Sequence, residues 1–369
     1  MRKSWTACTG CLMENNMAKK FLWSAVGQGA KALNRMTFPV QRDDGTVVRF
    51  DTSLGTDNLG DYIIMHYCGK ILDEMFPEHQ SAHIGTHLMP TGEQEQTVKQ
   101  TKYKFVCGTN LLTSHIEHHW RWILPDGIRR KLNYRNVILL GVGWGEYQDE
   151  CSDYSRMIYR AMLNPNVLHS VRDQYTLEKL RQAGFKNVIN TGCLTTWALT
   201  PEFCQDIPRV KAKDVVTTIT DYRRDPERDN EMLAILSRNY GHVYLWLQGR
   251  HDEEYLQTLN VPENLTTIPA SLEAYETVLR KGGVDYVGTR LHAGIHALNH
   301  KIRSIILAVD NQATEMGRDV NLPVIQRDNI GQELEKKINE DFATEIRIKQ
   351  ENIDKFKAQF ETNRGNQHE

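Results

Sequence analysis

Apolar and polar positions follow one recurring order along most of the chain. A short apolar run gives way to a polar or glycine-bearing stretch, and apolar residues then return at helical spacing. Residues 47–51 predict a strand, 52–61 a polar loop holding Gly55 and Gly60, and 62–76 a helix. The unit repeats. Residues 104–107 lead into Gly108-Thr109-Asn110, and 136–140 into Gly141-Val142-Gly143-Trp144-Gly145. Residues 167–170 lead into Arg172-Asp173 and a helix over 175–183, and 186–189 into Thr191-Gly192-Cys193. Strand, loop and helix repeated in this way predict parallel sheets flanked by helices.

The alternation lapses over 201–213, which holds two prolines and several charges and has no period. It restarts with predicted strands at 215–220, 243–247, 284–287 and 303–309, and helices at 229–238, 273–280 and 291–299. The predicted organisation is therefore an N-terminal extension (1–45), an α/β domain (46–205), a second α/β domain (206–330) and a helical C-terminal segment (331–369). In that segment Leu334, Ile338, Phe342, Ile346, Ile353, Phe356 and Phe360 make an approximate stripe, read as one long helix. Two such domains suggest two sheets facing across a cleft, and open parallel sheets bind ligands beyond the carboxyl ends of their strands. The chemistry is therefore sought in the loops just named.

Composition narrows the function. Of 369 residues, 40% are hydrophobic and 25% charged, which excludes disordered and collagen-like chains. No apolar run is long enough to span a membrane. The net charge of −2 argues against non-specific nucleic-acid binding, which rests on a cationic surface. Seven cysteines, an odd count, do not read as a disulfide framework, and Cys8 and Cys11 form the one Cys-x-x-Cys. The first residues lack the apolar core of a secretory signal, so a reducing cytoplasm is expected. Residues 17–35 read as a helix with Lys19, Lys20, Lys31 and Arg35, either docked on the protein or touching an anionic membrane face.

The densest chemical constellation is Gly288-Thr289-Arg290-Leu291-His292, where a strand ends and a helix begins. Free backbone N–H groups and the helix dipole favour an anion there, and a guanidinium adds a bidentate clamp. The plainer reading is an arginine capping a neighbouring strand and a packed histidine. Arg172 with Asp173 is a second positive centre, or a structural ion pair. Asp61, within Asn58-Leu59-Gly60-Asp61, reads as a helix N-cap or as a base for a hydroxyl. His292, His296 and His300 share helical spacing, and His115, His118 and His119 are close in sequence, but no third metal ligand is evident. The tryptophans Trp120, Trp122, Trp144, Trp197 and Trp246 read mainly as core, with one or two available to stack on a sugar.

In this order the motifs resemble the polysaccharide pyruvyl transferase family. The resemblance runs through Asn58-Leu59-Gly60-Asp61, Cys107-Gly108-Thr109-Asn110, Ser170-Val171-Arg172-Asp173, Gly192-Cys193-Leu194-Thr195-Thr196-Trp197, Thr220-Asp221-Tyr222-Arg223-Arg224-Asp225, Leu247-Gln248-Gly249, the segment 287–294 and Val309-Asp310-Asn311. It implies a fold of the two-domain glycosyltransferase B type, with an acceptor-side first domain and a donor-side second. It also implies phosphoenolpyruvate as donor, a glycan or lipid-linked glycan as acceptor, and no metal or other cofactor. His292 would be the acid, Asp61 the residue orienting or deprotonating the acceptor hydroxyl, and Arg172, Arg290, Gly288 and Thr289 the donor site. Asn58 and Asn110 would meet the acceptor. Gln312 and Leu247 stand where the family often carries Arg and Pro, and neither is expected to touch the Arg290/His292 pair. A glycosyltransferase using a nucleotide sugar and a non-catalytic glycan-binding assembly subunit are the alternatives.

Overall fold

A computed structural model describes residues 43–118, 122–126 and 131–361. The 17–35 segment, Cys8, Cys11, His119 and Trp120 lie outside them. The first half contains β1 (Thr46–Asp51), α1 (Leu59–Met75), β2 (Gln80–Gly85), α2 (Gly92–Gln100), β3 (Tyr103–Cys107), β4 (Val137–Leu140), α3 (Asp153–Met162), β5 (His169–Val171), α4 (Gln174–Gln182) and β6 (Val188–Asn190). A short helix, α5 (Pro201–Gln205), follows. The second half contains β7 (Asp214–Thr217), α6 (Pro226–Asn239), β8 (Val243–Trp246), α7 (Asp252–Leu256), β9 (Leu265–Ile268), α8 (Leu272–Lys281), β10 (Val284–Gly288), α9 (Leu291–Asn299), β11 (Ser304–Ala308), α10 (Asn311–Val320) and β12 (Val324–Gln326). Last come α11 (Glu335–Asn339) and α12 (Gln350–Glu361).

All strand pairs are parallel. The first sheet runs β2-β1-β3-β4, with the β5-β6 pair alongside β4. The second runs β12-β11-β10-β7-β8-β9. In each, the strand order reverses once, between β1 and β3 and between β7 and β10. Such switch points open a crevice at the strand ends where ligands bind. The loops after β1, β3, β7 and β10, which flank these points, hold four of the predicted motifs.

β5 is joined to β4 by a side chain as well as by backbone. The Leu139 amide donates to Nδ1 of His169, whose Nε2 donates to the Asn164 carbonyl. Both ring nitrogens are thereby committed to the neutral form, and burial pushes the pKa of this fully buried imidazole down to about 4. The unfolded chain takes up a proton near pH 6.5, while the folded one refuses it until about pH 4. Stability from this group is therefore lost as the pH falls through that window, by about 1.4 kcal/mol per pH unit. Urea titrations from pH 7 to 4.5 should show that slope, and His169→Gln should flatten it by about one proton.

α1 joins the two halves. Ile64, Cys68, Ile71 and Met75 pack on the first sheet, whereas Ile63 and Tyr67 belong to a core formed mostly by the second half. The C-terminal segment is not one long helix. A π-turn over Ile330–Leu334, the five-residue α11 and an irregular stretch precede α12, because the apolar positions serve different cores. Leu334 and Ile338 pack beneath the second sheet, while Ile353, Phe356 and Phe360 return to the first. There Phe360 meets Phe76 and Phe105, and the Gln359 amide brackets the Leu168 backbone, accepting from its N–H and donating to its carbonyl. Trp122, Trp144, Trp197 and Trp246 are all core, and of the four Trp197 also lines a cavity. Among the described residues no helix is long and apolar enough to cross a membrane.

Candidate active site

The loop after β3 turns through positive φ at Gly108 (59°) and Thr109 (50°). A Cβ at Gly108 would collide with Ile64 of α1, so glycine lets the loop press against that helix and carry Asn110 toward the second half. There Asn110 Nδ2 donates to Gln312 Oε1 at 3.3 Å. Gln312 Nε2 in turn lies 3.4 Å from His292 Nε2, a long contact in which the amide can only donate. His292 Nε2 is therefore an acceptor here, and the ring carries its proton on Nδ1. Gln312 was expected to stay clear of His292. It reaches the imidazole because α10 begins at Asn311, which points its first turn at the start of α9.

His292 also faces Cys193 Sγ at 3.8 Å and lies close enough to Arg172 to feel its charge. Burial, with Arg172 second, pushes the His292 pKa down to about 3, so the imidazole is neutral at neutral pH. Arg172 itself is 2% exposed. Its guanidinium rests against Gly143, where a Cβ would collide with it, and its Nε donates to Asp173 at 3.1 Å. Asp173 caps α4 through the Thr176 amide. Arg172 Nη1 and Asn110 Oδ1 are buried and have no hydrogen-bond partner among the described residues. A buried donor on a cation without an acceptor is costly, and a bound anion would satisfy it.

The other predicted donor residues are engaged within the protein. Arg290 sits at the N-cap position of α9 and is 3% exposed. Its Nη2 bridges Asp221 (2.9 Å) and Asp252 (2.7 Å), its Nε donates to the Ile219 carbonyl, and the Tyr222 ring covers it at 4.9 Å. Two carboxylates already answer its charge, and it ties the loops after β7 and β8 together. The Thr289 hydroxyl bonds Thr220 and the Thr218 carbonyl, and a Cβ at Gly288 would press on the Thr218 amide at 2.7 Å, so both fasten β10 to β7.

Asp61 is not the cap of α1. Asn58 holds that place, its Oδ1 accepting from Gly60 N at 3.1 Å and from Gln248 Nε2 at 3.0 Å across the two halves. Asp61 occupies the third helical position, nearly buried, with Thr56 Oγ1 donating to it at 3.1 Å. Asn58 and Asp61 thus flank the first switch point, while Arg172, Asn110, Gln312, Cys193 and His292 form the cluster where the halves meet. Sequence reasoning missed Asp252 as a partner of Arg290 and Gln312 as a partner of His292. Asp221, Gln248 and Cys193 lay inside quoted motifs without an assigned role.

A cavity of about 730 Å³ opens at the start of α10. It is lined by Tyr147, Arg223, Asn311, Arg318 and Arg327, among others, and Asn311 is the neighbour of Gln312. Arg318 pairs with Glu315 and Arg327 with Asp229, whereas the exposed Arg223 guanidinium has no partner among the described residues.

A guanidinium with a buried donor unanswered among the described residues thus lies beside a neutral imidazole, at the carboxyl ends of parallel strands. The polysaccharide pyruvyl transferase profile matches residues 58–311, and the chain belongs to that family. It is accordingly a transferase of the glycan-pyruvylating class. No curated protein matches the chain. Among solved structures, the apo form of the lipopolysaccharide outer core galactosyltransferase WaaB is similar with a TM-score of 0.41 and 11% identity, over 79% of this chain and 89% of that one. At that distance it bears on neither substrate nor mechanism.

Proposed function

We propose that the enzyme transfers the three-carbon unit of phosphoenolpyruvate to two hydroxyls of a glycan or glycan-lipid, forming a pyruvate ketal and releasing phosphate. The observation that carries the reading is the Arg172–His292 pair, with an unsatisfied buried donor on the arginine. The donor brings a carboxylate and a phosphate, and Arg172 Nη1 offers a charge-assisted hydrogen bond to either. Protonation of the methylene carbon by His292 makes it a methyl group and leaves cationic character at C2. One sugar hydroxyl adds there and loses its proton, regenerating acid. Phosphate then departs with its bonding electrons, and the second hydroxyl closes the ketal, its proton leaving with phosphate. Asp61 is assigned to orient or deprotonate the acceptor.

Neutral His292 is the wrong form for an acid, and the bound donor corrects this. Its negative charges, close to the ring, raise the imidazole pKa toward the working range. Arg290 serves the site by fixing the loops at the second switch point rather than as an open clamp. The two sheets are read as the acceptor and donor lobes of a glycosyltransferase B arrangement. The 730 Å³ cavity is read as the acceptor channel, with the exposed Tyr147 ring at its edge. No other cofactor is assigned to the reaction.

The test is phosphate release from phosphoenolpyruvate over a panel of glycan acceptors, with product mass as a second readout. Release that depends on acceptor, together with a melting temperature raised by phosphoenolpyruvate, is expected. A shift with a nucleotide sugar and none with phosphoenolpyruvate would move the assignment to a glycosyltransferase. Binding of glycan alone, without turnover, would move it to an assembly subunit.

A further inference from the structure

The far end of α9 carries a second polar cluster that pyruvyl transfer does not use. His296 and His300 lie one turn apart, and Glu276 of α8 faces them. One ligand atom from each of the three falls within 4.8 Å of the other two. Sequence spacing gave the two histidines. The third ligand was hidden because it comes from a different helix.

His296 is 1% exposed, and its Nε2 makes no hydrogen bond among the described residues, although Glu276 Oε1 lies 3.3 Å away. Its Nδ1 lies 2.9 Å from the Tyr67 hydroxyl. A ring that donates from Nδ1 to Tyr67 presents the Nε2 lone pair to Glu276 and His300. This is how outer partners orient metal-ligating histidines. Arg280 holds the other oxygen of Glu276 at 2.9 Å and leaves Oε1 turned inward. The cluster opens into a cavity of about 600 Å³ where α1, α8, α9 and α12 meet, with His66 and Lys357 on its walls.

We propose that Glu276, His296 and His300 bind a divalent transition-metal ion of the zinc class, with a fourth coordination position open to this cavity. Two imidazoles and one carboxylate are the donor set of zinc sites that retain an exchangeable ligand. Softer thiolate-preferring ions and all-oxygen ions such as calcium fit it poorly. The ion would fasten α8 to α9 beneath α1, which belongs to the other sheet. The site lies at the opposite end of α9 from His292 and stands independently of the donor assignment.

The test uses full-length protein stripped with chelator, in a Cys8→Ser/Cys11→Ser background that removes the Cys-x-x-Cys as a competitor. Calorimetric titration with Zn²⁺ should show one ion per chain. Co²⁺ should give visible bands of a low-coordinate nitrogen–oxygen site without a thiolate charge-transfer band. His300→Ala and Glu276→Gln alter partly exposed residues, so the fold should survive, which circular dichroism checks. Each should weaken binding by at least about a hundredfold, and Tyr67→Phe by about tenfold, the scale for an outer-shell partner. Absence of stoichiometric binding overturns the proposal. So does an unchanged affinity and Co²⁺ spectrum in both folded ligand variants. Neither result depends on turnover, so the pyruvyl-transfer reading stands or falls separately.

Discussion

His292→Ala should lower kcat by about a hundredfold to ten-thousandfold, the range for losing a positioned general acid, and change the KM for phosphoenolpyruvate little. The imidazole approaches Cys193, Gln312 and Arg172 but holds no structural ion pair, so folding should be unaffected. A second readout separates acid catalysis from simple contact. Burial, and then Arg172, keep the ring neutral, with its pKa near 3. A donor that converts it to an acid must bring a proton with it. Calorimetry in buffers of different ionisation enthalpy should therefore show proton uptake on phosphoenolpyruvate binding, and His292→Ala should abolish that uptake. Turnover near the wild-type value in the variant would remove His292 from the mechanism.

Asp285→Ala should cost about 3–5 kcal/mol of stability, the penalty for leaving one member of a buried ion pair alone. Asp285 lies within β10 and Arg303 just before β11, and neither is exposed to a meaningful degree. Arg303 Nη1 meets Asp285 Oδ2 at 2.6 Å, and Nη2 donates to the carbonyls of Lys337, Ile338 and Glu340. The Tyr240 hydroxyl donates to the same carboxylate at 2.7 Å. Without Asp285 the guanidinium keeps its charge in a place water cannot reach. Urea denaturation measures the loss. Asp285→Ala combined with Arg303→Met should recover much of it, because removing both charges also removes the desolvation cost. A single variant within about 0.5 kcal/mol of wild type would show that the pair is dispensable.

Much of the fold was legible because the signal was local. Strands such as Val284–Gly288 and Ser304–Ala308 are buried throughout and stand out as apolar runs. Gln80–Gly85 was missed because it is an edge strand, largely exposed, whose QSAHIG sequence has little apolar character. The helix Asp153–Met162 was missed although Met157, Ile158, Ala161 and Met162 are buried on one side. The terminal stripe was real but misread. Its period was approximate because two different cores claim its residues. Individual site residues were found because they cluster at strand ends. Their pairings were not, because Asn110 with Gln312, Asn58 with Gln248 and Arg290 with Asp252 join positions far apart in sequence. Which cations are answered internally is decided by those pairings. Arg172 and Arg290 were therefore equivalent on paper and differ in the folded molecule.

The return of α12 to the first sheet has a consequence for how the protein is made. Phe76, Tyr103 and Phe105 emerge early from the ribosome, but Phe356 and Phe360, which cover them, are translated some 250 residues later. Through most of synthesis the leading half carries an uncovered aromatic patch. Domains commonly fold during translation, and exposed apolar surface at that stage invites aggregation. This half can reach only a provisional state until the trailing helix arrives, which makes it a natural client for chaperones on the nascent chain.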